Sequence, residues 1–158
     1  MRLEYFQMLD RIVDVDVGER RIRTACTIPK ANESPVFEGH FPGYPLMPGV
    51  LLIECMAQTT GWLVMALCGF TAMPFLVSVK EAKFRTAVFP GDELEFAGRV
   101  VHEGSGFAVS ECQGWRQKKI VCDTQITYRI MPFPSPEFRQ ALLQLAERLD
   151  VPVKEFIK

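Results

Sequence analysis

Residues Val50 to Phe70 read VLLIECMAQTTGWLVMALCGF, an almost continuous apolar run that contains one charged residue, Glu54. A helix that is apolar on nearly all sides is either buried in a protein or spans a membrane. The run is long enough to cross a bilayer, but Glu54, the polar cluster from Gln58 to Thr60 and the lack of a basic flank argue against a span. We therefore predict a helix buried inside a soluble fold, with Pro48 in its first turn.

Segments on both sides of this helix alternate between apolar and polar residues, which is typical of strands. We predict a short helix or turn and then a strand in residues 5–17, followed by strands over 20–28, 74–88, 93–102, 107–115 and 119–131. Five prolines between residues 29 and 49 indicate a stiff loop before the helix. This order predicts an α+β fold, a curled antiparallel sheet of about six strands wrapped around one long central helix. The open edges of such a sheet favour a homodimer.

A second helix is predicted near the C-terminus. The last predicted strand is expected to end before Pro134. Ser135 suits the N-cap of a following helix, and Pro136 suits its first turn. Apolar residues then recur at helical spacing: Phe138, Ala141, Leu142, Leu145 and Leu149. The pattern predicts an amphipathic helix from about Pro136 to Leu149.

The composition excludes several classes of protein. The 158 residues suffice for one domain with its own core. A net charge of −1 argues against a dedicated nucleic-acid binder. The five cysteines lack C-x-x-C spacing, so neither a zinc site nor a disulfide framework is expected. Free thiols, and an N-terminal segment unlike a signal peptide, favour a cytoplasmic location.

Three residues carry groups suited to acid–base chemistry. His40 lies in the loop GHFPG, and imidazole is the side chain closest to half-ionised at neutral pH, so it is a candidate base. Gly49 opens the buried helix, where its N–H would be a preorganised donor to an oxygen that gains negative charge. Glu54 could give a proton to a departing hydroxyl.

Each of these residues also has a simpler interpretation. His40 fits an ordinary polar loop residue, and Glu54 fits a structural acid paired to an arginine or to a backbone group. Gly49 fits a plain helix start. His102, the other histidine, is expected on the surface. The residues taken singly leave these alternatives open.

A longer motif carries a family resemblance. The stretch FEGHFPGYPLMPGVLLIECMAQTTG, from Phe37 to Gly61, strongly resembles the motif of the FabZ-type beta-hydroxyacyl-acyl-carrier-protein dehydratases of bacterial fatty acid synthesis. The run VKEAKFRTAVFPGDEL, from Val79 to Leu94, is also similar to that family's pattern. The resemblance spans about residues 5–131. It implies the hot-dog fold, with a dehydratase domain over 1–131 and a helical extension over 132–158.

The resemblance implies reversible loss of water from a (3R)-hydroxyacyl thioester, which gives a trans-2-enoyl thioester. His40 would remove the proton alpha to the thioester, the N–H of Gly49 would hold the thioester carbonyl, and Glu54 would act on the departing hydroxyl. In the family the histidine and the acid meet across a homodimer interface, and three dimers can form a hexamer. Neighbouring residues expected to contact the substrate are Phe41, Pro48 and Val50.

The resemblance implies no metal and no redox cofactor. The acyl group would arrive on the phosphopantetheine arm of acyl carrier protein, and the apolar surroundings would offer an acyl tunnel. Because acyl carrier protein is acidic, docking needs local positive charge. The candidate docking residues are Lys80, Lys83 and Arg85, with a second cluster at Arg116, Lys118 and Lys119.

Two features depart from the family pattern. The segment NESPVF, residues 32–37, is one residue longer than the usual run before the Gly-His step, which we expect to reshape the mouth of the site. Family chains commonly stop near residue 131, so the tail from Pro132 to Lys158 is extra. It could cap a sheet edge, cover a partner subunit or adapt the enzyme to a specialised lipid pathway.

Two competing functions follow from the same fold. A hot-dog acyl thioesterase would use an acid to activate water and would not need His40 at this spacing. A non-catalytic acyl-carrier binding subunit would not use His40 at all. Since both catalytic positions hold competent residues, the dehydratase is the favoured interpretation.

Overall fold

The structure is a computed structural model, and it describes residues 1–157. The strands are β1 (Arg11–Asp16), β2 (Arg21–Thr27), β3 (Ala72–Phe84), β4 (Glu93–Gly104), β5 (Phe107–Arg116) and β6 (Lys119–Pro132). The helices are α1 (Val36–Gly39), α2 (Gly49–Leu67), α3 (Pro136–Arg148) and α4 (Val153–Phe156), after a 3₁₀ turn at Leu3–Tyr5.

The six strands form one antiparallel sheet in the order β1-β2-β4-β5-β6-β3. Tight turns join β4, β5 and β6 into a meander. Gln117 and Lys118 connect β5 to β6 with φ of 47° and 66°, the left-handed values that a two-residue hairpin turn needs. The strands predicted over 107–115 and 119–131 are therefore joined by a tight turn, although this turn contains no glycine.

Helix α2 packs on the sheet and contacts β2, β3, β4, β5 and β6. Its core-facing side chains are fully or almost fully buried, among them Leu52, Cys55, Met56, Leu63 and Val64. By length and composition α2 could cross a membrane, but 67% of its apolar window is buried in the protein. The predicted curled sheet around one central helix, the hot-dog architecture, is confirmed.

The polar residues of α2 find partners inside this core. Thr59 Oγ1 lies 2.8 Å from Thr24 Oγ1 of β2. Thr60 Oγ1 lies 2.7 Å from the hydroxyl of Tyr128, which itself donates to the Ala57 carbonyl at 2.8 Å. A buried hydroxyl without a partner destabilises a fold. These hydrogen bonds therefore allow polar residues to be buried between α2 and the sheet.

Several predicted boundaries differ from the observed ones. The loop before α2 contains α1, and Pro48 is the N-cap of α2 rather than a first-turn residue. Strand β3 ends at Phe84, whereas the prediction continued to Val88. The Val88 carbonyl accepts from Met47 N at 2.9 Å, so the chain there pairs with the loop instead of the sheet.

The tail forms α3 where it was predicted, and it also forms the unpredicted α4. Ser135 caps α3, since its hydroxyl accepts from Phe138 N at 3.2 Å. On the predicted apolar face Leu149 is buried, but Ala141 is exposed and Ala146 is buried instead. The division at residue 131 stays a prediction, and the last residue of the proposed extension, Lys158, lies outside the described residues.

The five cysteines are free, and all but Cys68 are buried. Burial raises the pKa of the Cys122 thiol to about 12. It also raises the pKa of Cys55 and of Cys112 well above the usual range. A thiol that resists ionisation is a poor nucleophile, so these cysteines serve as core packing groups.

The close approach of α2 to β4 gives a test of the packing. An ideal Cβ placed on Gly98 would lie 2.5 Å from Thr60 Cγ2, so we expect Gly98→Val to lower the free energy of unfolding by about 1–3 kcal/mol. Urea unfolding would measure the change. The control is Ala97→Val, which adds methyl groups at the exposed neighbouring position of the same strand. Equal stability of the two variants would contradict this packing.

Candidate active site

His40 is held in place by the backbone around it. It ends α1, where its N–H donates to the Val36 carbonyl at 3.1 Å. Its carbonyl accepts from Leu46 N at 2.8 Å, and its ring Nδ1 lies 2.8 Å from the Leu46 carbonyl oxygen. Because a carbonyl can only accept, Nδ1 carries a proton, and in the neutral form of the ring the lone pair is on Nε2. The ring also stacks on Phe41, with centroids 4.1 Å apart.

Glu54 is half-buried on α2, one turn before Gln58. Gln58 Nε2 donates to Glu54 Oε1 at 2.9 Å and to the Phe6 carbonyl at 2.6 Å. The amide oxygen of Gln58 accepts from Met8 N at 3.3 Å. Within residues 1–157 Glu54 forms no ion pair. Gln58 therefore links the Glu54 carboxyl to the N-terminal segment of the chain.

Gly49 is the first residue of α2, and the helix begins in the extended backbone of Pro48. The first bonds of the helix run from Leu51 N and Leu52 N to the Pro48 carbonyl, at 3.0 Å and 3.3 Å. The N–H of Gly49 thus precedes the hydrogen-bonded ladder and lies at the positive end of the helix dipole. A Cβ on Gly49 would lie 3.1 Å from two ring carbons of Phe84, so glycine lets that ring approach the start of α2.

A cavity of about 660 Å³ opens beside Glu54. One wall is a stripe of α2 that bears the polar Glu54 and Gln58 at one end and the apolar Trp62 and Met65 at the other. The remaining walls come from the N-terminal segment, the edge strand β3 and the C-terminal helix α3. The α2 stripe is therefore polar near Glu54 and apolar near Trp62, and α3 adds mainly apolar residues together with the charged Arg148.

The predicted site residues fall into two groups within one chain. Glu54 lines the cavity and His40 does not, so the described residues give this cavity no histidine. Phe41 lies against His40, while Pro48 and Val50 flank Gly49 at the start of α2. Val50 is 70% exposed, so its side chain is free to meet another molecule.

The predicted docking residues are exposed, apart from the half-buried Arg116, and several of them are paired with neighbouring acids. Lys83 lies 3.6 Å from Glu81, and Arg85 pairs with Asp123 at 2.6 Å. Lys80 is also exposed on β3. In the second cluster, Arg116 pairs with Asp92 at 2.5 Å, and Lys118 and Lys119 are exposed. His102 is exposed on β4, as predicted.

Two features of the site were missed in the sequence. Gln58 was treated only as a polar residue, although its position four residues after Glu54 places the two side chains on one helix face. The Leu46 carbonyl, which orients His40, carries no side-chain signal at all. Among residues 1–157, no group of three or more His, Cys, Asp or Glu side chains is arranged to hold a metal ion.

Comparison with known sequences finds dehydratase relatives over most of the chain. A family model described as the FabA-like domain matches residues 2–125. The 3-hydroxyacyl-(acyl-carrier-protein) dehydratase FabZ of Lactiplantibacillus plantarum is 40% identical over 124 residues, which cover 76% of this chain and 80% of that protein. The FabZ of Bartonella quintana is 42% identical over 117 residues, which cover 70% and 74%.

Solved structures share the fold at low sequence identity. A conserved protein from Pseudomonas aeruginosa matches with a TM-score of 0.63 and 21% identity, over 80% of this chain and 93% of that one. A hypothetical thioesterase from Streptococcus pneumoniae TIGR4, solved with coenzyme A, matches with a TM-score of 0.61 and 16% identity, over 79% and 88%. Such similarity establishes the architecture only. The sequence matches decide the family: this chain belongs to the FabZ family of 3-hydroxyacyl-(acyl-carrier-protein) dehydratases.

Proposed function

We propose that the chain is a hydro-lyase that removes water from (3R)-hydroxyacyl-acyl carrier protein and forms the trans-2-enoyl product, in fatty acid or lipid precursor biosynthesis. FabZ relatives that bear this activity in their names support it. The single observation in the site that carries the proposal is the bond from His40 Nδ1 to the Leu46 carbonyl. That bond leaves Nε2 as a base of fixed orientation, which the removal of a carbon-bound proton requires.

The reaction then needs three groups. Nε2 of His40 takes the proton from the carbon alpha to the thioester, and the electron pair moves toward the thioester oxygen. The N–H of Gly49 donates to that oxygen as it gains negative charge. Glu54 gives a proton to the 3-hydroxyl, the carbon–oxygen bond breaks, and the electron pair forms the double bond as water leaves.

Gln58 acts on this reaction through Glu54. Its side-chain nitrogen donates to Oε1 of the carboxyl. The nitrogen and the oxygen of the same amide also form hydrogen bonds with backbone groups of the N-terminal segment. Because its orientation is already restricted, the Glu54 carboxyl loses less conformational entropy when it binds the substrate hydroxyl in the reactive geometry. We therefore assign Gln58 as a positioning residue.

We also propose that a second copy completes the site. Strand β3 lies at the edge of the sheet and exposes apolar side chains, with Phe75 59% and Val77 53% exposed. An exposed apolar edge strand favours pairing with another chain. In a homodimer formed at this edge, His40 of one chain would face Glu54 of the partner subunit across the cavity, which has no histidine among the described residues that line it.

The remaining parts of the proposal concern the carrier and the location. The substrate arrives on the phosphopantetheine arm of acyl carrier protein, with no metal or redox group taking part. Lys83 and Arg85 on and beside the exposed part of β3 are the proposed docking residues. Phe41, Pro48 and Val50 line the entry of the thioester. The enzyme works in the cytoplasm.

The catalytic assignment is tested with a 3-hydroxybutyryl thioester. We expect His40→Ala to abolish formation of the enoyl thioester and Glu54→Gln to lower turnover by about a hundredfold or more. Absorbance of the conjugated enoyl thioester measures the rate. His102→Ala is the matched control, because it removes the other histidine, which is exposed. Wild-type turnover in either site variant refutes the assignment, and release of free acid without enoyl product identifies a thioesterase.

The shared site is tested by mixing the two inactive variants. If each site takes His40 from one chain and Glu54 from the other, a mixed dimer of His40→Ala and Glu54→Gln has one intact site. Unfolding and refolding the variants together should then restore about a quarter of the wild-type rate, since half of the randomly formed dimers are mixed. Each variant refolded alone is the control. A mixture as inactive as its components contradicts a site shared between chains.

The role of the Gly49 amide is tested by removing its hydrogen. Pro48 already has the extended backbone that a following proline requires, and proline is accepted in the first position of a helix. We expect Gly49→Pro to fold and to lower kcat by about a hundredfold or more, because the oxyanion loses its donor. Gly49→Ala keeps the N–H and places a Cβ against the same Phe84 ring. Equal losses in the two variants would mean that only the ring contact matters.

A further inference from the structure

We propose that the C-terminal helix α3 forms the distal wall of the acyl-chain pocket, so that the tail sets which chain lengths the enzyme accepts. The inference rests on the proposed function and concerns the tail, which lies beyond the FabA-like match to residues 2–125. Its occupant is the hydrocarbon part of the substrate acyl group.

The pocket begins at the catalytic carboxyl. Along α2 its lining follows one helix face, at Glu54, Ala57, Gln58, Gly61, Trp62 and Met65. Successive members are three or one residues apart, so the face runs for about 16 Å along the helix axis at 1.5 Å per residue. The two smallest residues, Ala57 and Gly61, lie in its middle and leave room above the helix.

The lining changes character along this face. At Glu54 and Gln58 it offers carboxyl and amide groups, which suit the hydroxyl and thioester end of the substrate. At Trp62 and Met65 it is apolar, and α3 adds Phe138, Leu142 and Leu145 to the lining, with the charged Arg148 at its last turn. A cavity of about 660 Å³ falls within the range of about 300–1,000 Å³ usual for small-molecule sites. A ligand with one polar end and a long hydrocarbon chain therefore matches the polar part of the cavity at Glu54 and its apolar part at Trp62.

Helix α3 is attached firmly enough to act as a wall. Arg139 Nε donates to the Phe70 carbonyl at 2.7 Å, which ties the start of α3 to the turn that follows the central helix. At the other end, Ile12 N of the edge strand β1 donates to the Leu149 carbonyl at 2.8 Å. The leucines between these two anchors are therefore presented to the pocket at fixed positions.

The first test narrows the pocket from α3. We expect Leu145→Trp to lower kcat/KM for a 3-hydroxymyristoyl thioester by about tenfold or more relative to a 3-hydroxybutyryl thioester. The reason is that the larger ring occupies the volume of a few methylenes of the long acyl chain. Gln144→Trp is the matched control, since it adds the same ring to the exposed neighbouring position of α3. Its ratio of the two kcat/KM values should equal that of the wild type.

The outcomes separate this inference from the proposed function. Turnover of the short substrate by Leu145→Trp shows that the variant folds, and an unchanged ratio then overturns the role of α3 alone. If the variant does not fold, Leu142→Trp replaces it on the same face. If the wild type forms no enoyl product from either substrate, the proposed function fails.

A second test locates the acyl chain without catalysis. The chain has two tryptophans, so Trp115→Phe leaves Trp62 as the only one, inside the pocket. In this protein, with His40→Ala added to keep the substrate intact, we expect a 3-hydroxymyristoyl thioester bearing a nitroxide at its methyl end to quench Trp62 fluorescence. The unlabelled long-chain thioester should reverse the quenching. Absence of quenching at concentrations that saturate wild-type turnover overturns the inference.

Discussion

The whole structure depends on burying α2, a helix that is apolar over most of its circumference. No single flat surface covers such a helix, so the sheet must curl and five of its strands contact it. Close contact also restricts the sheet itself: at Gly98 a side chain would collide with Thr60. The hydroxyls of Thr59 and Thr60 are tolerated because Thr24 and Tyr128 meet them inside the core.

The proposed chemistry uses the face of α2 that lines the cavity. Glu54 and Gln58 lie on that face, and the N-terminal segment, the edge strand β3 and the helix α3 close the cavity beside them. The same helix therefore serves as the core of the domain and as the support of the proposed acid. Its first residue, Gly49, adds an amide hydrogen at the positive end of the dipole. A rigid, buried helix is a suitable support, since catalytic groups need fixed positions.

Prediction from the sequence succeeded where a pattern is local and long. The period-two strands, the capped α3 and the apolar α2 were found with boundaries within a few residues. It failed where the decisive partner is distant in the chain. The predicted strand β3 continued to Val88 because the apolar pattern continues, but the Val88 carbonyl accepts a hydrogen bond from Met47 N in the preceding loop. On α3 the apolar spacing selected Ala141, but the contacts of the folded tail bury Ala146 instead.

The amino-acid sequence by itself determined the fold class and the candidate groups His40, Gly49 and Glu54, because hydrophobic periodicity and a long motif are properties of the chain alone. Only the tertiary structure decided how those groups are held. The tautomer of His40 follows from the Leu46 carbonyl, and the orientation of Glu54 follows from Gln58 and the N-terminal backbone. It also decided that the tail reaches the cavity beside Glu54. Hydrogen bonds and walls of this kind join segments far apart in the chain, and no local pattern records them.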